Sequence, residues 1–105
     1  MAKPPTVDER VLIGKARKAI VAGDYVILPH ARIRCSERDI AATDIELVLE
    51  KGKRTKSRDR YDESWKRWSY CFEGKTVDKE HARVVITFLK KMAIVTVVRI
   101  GGTYE

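Results

Sequence analysis

The sequence predicts an α+β domain, with N-terminal helices packed on one face of a small antiparallel sheet of three to four strands. Three observations carry this. Apolar residues of the first half recur at helical spacing, whereas those of the second half sit in dense β-branched runs, "ARVVITFLK" and "AIVTVVRI". The order is two or three helices and then at least three antiparallel strands, as in an α+β domain. The 105 residues form one domain, enough for one modest core.

The first helix is expected within "PPTVDERVLIGKARKAIVAGD". Thr6 and Glu9 have the spacing of a capping box, Val7, Val11, Leu12 and Ile20 can share an apolar stripe, and Gly23 is a natural stop. "YVIL", Tyr25–Leu28, is short and β-prone: a first strand or an extended lead-in. Pro29 suits a first helical turn, where its missing N–H is no loss, so a second helix runs from about His30 to Arg38. Asp39 tolerates the left-handed turn that ends it. "AATDIELVLEKG" gives a third helix, closed by Gly52. The following "KRTKSRDRYDESWKRW" lacks a stripe and reads as an irregular loop with at most one edge strand. "WSYCFEGK" alternates Trp68, Tyr70 and Phe72 against Ser69, Cys71 and Glu73, as a strand does. Two central strands follow, joined by a tight turn near Lys90–Met92.

Twenty-two Lys and Arg against fifteen Asp and Glu leave a net charge of +7. Eight bases and three acids between Lys51 and Arg67 supply +5 of it, whereas residues 23–50 carry −3. A positive field on one segment favours a polyanion: RNA, DNA or an acidic protein. Cys35 and Cys71 form no ligand pattern with His30 and His81, so no metal or other cofactor is expected. "IGK" lacks the glycine spacing of a phosphate loop. "MAKPPTVDER" has no apolar core of a secretory leader, and Ala93–Val98 is too short for a bilayer, so a reduced, cytoplasmic, non-membrane protein is expected.

Three constellations are candidates for function. On a helix, His30, Arg34 and Arg38 stand four apart in one row. A histidine moves protons near neutral pH, and arginines hold a phosphate with paired hydrogen bonds. The same row also reads as a solvated face, with Glu37 and Asp39 paired to the arginines. In the basic loop, Arg58, Arg60, Lys66 and Arg67 interleave with Tyr61, Trp65 and Trp68, a pattern suited to phosphates and stacked bases. It is equally a charged loop whose Trp68 enters the core. Thr96 lies within a β-branched strand and gains meaning only if it faces the cleft of His30. Tyr104 is a catalytic phenol, a stacking ring or part of a frayed tail.

"HARIRCSERDI", then "DIELVLEKG", a charged loop, an aromatic strand and a closing "IVTVVR" resemble a family of small bacterial domains of unknown function. Its signature is H-A-x-x-R-x-x-E-R-x-I with a late Thr-containing strand. His30, Ala31, Arg34, Glu37, Arg38 and Ile40 fall on that signature and Thr96 on the late strand. Asp39 stands where Gly is usual, and Ala41 where a capping Ser or Thr is common. That family sits near the RelE and BrnT toxins of the Barnase–EndoU–colicin–RelE-like ribonucleases. The resemblance covers about residues 25–100, leaving residues 1–24 as a helical addition to a 25–105 core. It implies a metal-independent endoribonuclease of a toxin–antitoxin pair, acting on RNA such as mRNA, with an acidic antitoxin as partner. His30, Arg34, Arg38 and Thr96 would be catalytic, and Arg58, Arg60, Tyr61, Trp65, Lys66 and Arg67 would bind the RNA. A non-enzymatic module binding nucleic acid or protein is the alternative.

Overall fold

The computed structural model describes residues 5–100, so Tyr104 lies outside the described residues. Three helices, α1 (Glu9–Ala22), α2 (Pro29–Arg38) and α3 (Ala42–Lys51), accompany six strands. These are β1 (Tyr25–Ile27), β2 (Lys53–Arg54), β3 (Arg60–Asp62), β4 (Arg67–Lys75), β5 (His81–Phe88) and β6 (Met92–Arg99). A 3-10 turn spans Lys56–Arg58. Helices and sheet are mixed as expected, but the sheet is larger than three to four strands and is not wholly antiparallel. Its order is β1-β6-β5-β4-β2, with β3 paired to β4. β1 runs parallel to β6, because the chain leaves β1 through α2 and returns to it only with its last strand.

Each helix starts and stops for a local reason. The cap of α1 is Asp8, not Thr6: its Oδ1 accepts from the Arg10 and Val11 amides. Gly23 closes α1 at φ 68°. The buried stripe is Leu12, Ala16 and Ile20, while Val11 is half exposed. Pro29 opens α2, and Asp39 ends it at φ 55°, the conformation for which Gly is the usual choice. Ala41 gives α3 no side-chain cap, but Asp44 Oδ2 accepts from the Ala41 amide at 2.9 Å, and Asp44 Oδ1 from that of Val77 at 2.9 Å.

All three helices cover one sheet face. Leu12, Ile45, Val48 and Leu49 pack there against Phe72, Val84, Ile86, Ile94 and Val97, all at most 1% exposed. This is the hydrophobic core that holds the fold. The closest approach is backbone to backbone: a Cβ on Gly74 would lie 2.9 Å from the Gly52 Cα, and one on Gly52 would lie 2.4 Å from the Val48 carbonyl oxygen. Only glycines let the end of α3 meet β4 so closely.

The opposite face carries no helix. The β5–β6 register slips between Val85 and Ile86, where Val85 faces Thr96 but Ile86 faces Ile94. Val95 is therefore the extra residue of a β-bulge. The bulge sends Val95 and Thr96 to the helix-free side together, which strict alternation would not do.

Candidate nucleic-acid interface

The segment read as an irregular loop is folded back on β4 by polar contacts. Arg54 grips Asp59 with two bonds, Nη1–Oδ1 at 2.9 Å and Nη2–Oδ2 at 2.6 Å, and both side chains are about 5% exposed or less. Arg54 Nη1 also donates to the Cys71 carbonyl, and Asp59 Oδ1 accepts from the Cys71 amide. The hydrogen bond to Asp59 raises the Arg54 pKa, so this guanidinium keeps its charge despite burial. The Cys71 thiol donates to the Arg58 carbonyl at 3.2 Å, and burial pushes its pKa up, so it is an inert thiol here.

This anchor leaves Arg58 and Arg60 on the surface, at the rim of a groove of about 750 Å³ on the helix-free face. Half-buried Val85, Val95 and Val98 make its floor, with Thr96 and Ser69 among them. Arg83 also lines it, but its Nε is paired with Glu73 at 2.8 Å. Tyr61 borders the groove with its ring engaged edge-on by Trp68, centroids 5.5 Å apart. Trp68 packs against the core; Trp65, at the hairpin tip, is 70% exposed. Lys66 and Arg67 are exposed beside it.

The His30–Arg34–Arg38 row forms as the spacing predicts, but it does not line the same groove. Helix α2 follows β1 at the edge of β6: the Leu28 amide donates to the Ile94 carbonyl, and Arg38 Nη1 donates to the Val97 carbonyl at 3.2 Å. Arg99 donates in turn to the Arg38 carbonyl and pairs with Glu80. Arg38 thus closes a strand edge. Arg34 Nε donates to His30 Nε2 at 3.4 Å, and Arg34 Nη1 reaches Glu37 at 3.5 Å. The exposed His30 and the partly exposed Arg34 remain open to a ligand. Hence the structure joins Thr96 to Arg58, Arg60 and Tyr61 in one groove, and keeps the histidine row on the flanking helix. The sequence reading missed the Arg54–Asp59 anchor; two opposite charges five residues apart in a charged run were its only signal.

Among the described residues, no three His, Cys, Asp or Glu side chains group as metal ligands, and no helix is long and apolar enough to cross a membrane. The family model described as a domain of unknown function, DUF4258, matches residues 27–99. Helix α1 precedes the matched span, although it supplies core residues. No curated protein and no solved structure matches the chain.

Proposed function

The chain belongs to the DUF4258 family, and from that premise we propose that its helix-free sheet face binds single-stranded RNA for cleavage by a RelE- or BrnT-like, metal-independent mechanism. The observation that carries the binding is the groove itself: an apolar floor of Val85, Val95 and Val98 beneath exposed Arg58 and Arg60. Such a surface suits a chain that offers phosphates and stackable bases at once. Lys66 and Arg67 extend the positive rim, and Trp65 offers an indole face.

For cleavage, a phosphate beside α2 displaces Arg34 from His30, because two charge-assisted bonds outweigh the single 3.4 Å contact to the imidazole nitrogen. His30 Nε2 then takes the proton of the 2′-hydroxyl, whose oxygen attacks phosphorus. The 5′-oxygen leaves with a proton from water, and the hydroxide so formed takes back the proton held by His30, giving a 2′,3′-cyclic phosphate and a 5′-hydroxyl end. Arg34 stabilises the charge on the phosphoryl oxygens and Arg38 holds α2 against β6, while Thr96, in the groove apart from His30, contacts the bound strand and not the reacting phosphate. An acidic antitoxin would cover the same basic face.

A second reading is binding without cleavage. It is favoured by the Arg34–His30 contact, which occupies the nitrogen lone pair that a base needs. Incubation of the pure protein with end-labelled RNA in EDTA separates the two. Cyclic-phosphate fragments that disappear in His30→Ala, with the melting temperature unchanged, support the enzyme. Salt-sensitive binding with intact RNA supports the binding module. RNA that neither binds nor breaks refutes both.

A further inference from the structure

A smaller cavity of about 210 Å³ continues the groove, with Asp62, Ser69 and Val95 lining both. Leu28, Leu89 and Trp65 add apolar walls. Thr87, Asp62 and Arg67 complete it, and the last two stand directly opposite each other in the β3–β4 register. Opposite charges at such positions normally pair. Here each is held by a backbone group instead. Asp62 Oδ1 accepts from the Trp65 amide at 2.9 Å, and Arg67 Nη1 donates to the Phe88 carbonyl at 2.8 Å. Both residues line the slot beside the exposed Trp65 indole, and each keeps polar atoms beyond its backbone bond: a second carboxylate oxygen on Asp62 and further guanidinium N–H groups on Arg67.

We propose that this slot is a nucleobase subsite that selects guanine. The inference rests on the RNA reading of the adjoining groove. The cavity is smaller than the roughly 300–1,000 Å³ of drug-sized sites, which suits one planar ring system. Trp65 stacks the base. Guanine presents two adjacent donors, N1–H and the N2 amino group, to the Asp62 carboxylate. Its O6 and N7 acceptors match an arginine fork. Adenine and cytosine place a ring-nitrogen lone pair beside their amino donor, and uracil flanks its N–H with two carbonyls. Each would set lone pairs against the carboxylate, so Asp62 rejects as well as selects.

The test is fluorescence anisotropy in EDTA with short uridine oligoribonucleotides carrying one central guanosine, adenosine or cytidine, or none. The guanosine oligomer should bind about tenfold more tightly than the others. Asp62→Asn keeps an acceptor for the Trp65 amide and should erase that preference without weakening the other three. Trp65→Ala should weaken all four by roughly tenfold. Both side chains are exposed, and circular dichroism confirms that the variants fold. Equal affinities, or a guanosine preference that survives Asp62→Asn, overturn the inference while leaving the RNA reading intact. If no oligomer binds, the RNA reading fails, and guanosine 3′-monophosphate judges the slot alone. Quenching of tryptophan emission that Trp65→Ala abolishes supports it, and absence of quenching overturns it.

Discussion

Asp59→Ala is expected to cost about 3–5 kcal/mol, the range for breaking a buried ion pair from one side. The structure gives the reason. Among the described residues, Asp59 is the only carboxylate paired with the Arg54 guanidinium, and both side chains are nearly dry. Arg54 Nε is already buried without a partner, so after truncation the charge keeps one hydrogen bond, to the Cys71 carbonyl. The Cys71 amide loses its acceptor as well, a loss of about 1–3 kcal/mol in its own right. Against a total stability of roughly 5–15 kcal/mol this is severe. In urea, with an m-value of about 1–2 kcal/mol/M, the midpoint falls by roughly 1.5–5 M. The decisive measurement is the double variant. If the stranded cation dominates, Arg54→Met together with Asp59→Ala is more stable than Asp59→Ala alone, since methionine packs over the Tyr70 and Phe72 rings where the guanidinium now lies at 5.5 Å. A single-variant cost below about 1 kcal/mol, or a double variant worse than either single, refutes the reasoning.

Two further outcomes follow from packing and titration. Tyr25 donates to Glu46 at 2.6 Å, and burial, with Glu46 beside it, pushes the phenol up to about 12. A raised folded-state pKa gives stability that is whole below the unfolded value near 10 and is lost between about pH 10 and 12; Tyr25→Phe should remove that loss relative to wild type in urea titrations at alkaline pH. Gly52→Ala should destabilise more than Gly74→Ala, each by about 1–3 kcal/mol or more, because its Cβ meets two carbonyl oxygens at 2.4 and 2.5 Å rather than one Cα at 2.9 Å; thermal melts of the two variants decide it.

How far the sequence carried the fold differs by element. Helix α2 was legible because Pro29 and Asp39 act locally, through a missing N–H and a left-handed turn. Strands β4 to β6 were legible because their β-branched and aromatic runs need a sheet. The parallel β1–β6 pair was not, since three residues pair with a strand almost seventy positions later and nothing local specifies it. Nor were β2 and β3, whose partners are held by charges that a search for apolar periodicity reads as solvated. At the site, spacing alone set His30, Arg34 and Arg38 in one row. Their position relative to Thr96 depended on strand order and on the bulge at Val95, which exchanges faces within one strand. Two tryptophans three residues apart part company at the same hairpin: Trp68 packs on the core, and Trp65 stands at the tip.

The bare sheet face ties stability to recognition. A row of valines open on one side is a liability, for large exposed apolar patches invite association. Here the patch is narrow and ringed by Arg58, Arg60 and Arg67, which repel a second copy of the same basic chain. The same ring attracts a polyanion whose bases can cover the valines. Both properties depend on Arg54 and Asp59, because that pair pins the start of the basic segment to β4 and fixes where Arg58 and Arg60 project. A buried charge pair contributes little net stability compared with apolar residues of the same shape. Its use here is positional. If so, Arg54→Met with Asp59→Ala, even where it folds well, should bind RNA less tightly and with a shallower salt dependence than wild type, as phosphate contacts from the freed segment are lost. An unchanged salt slope would show that the segment presents its arginines without the anchor.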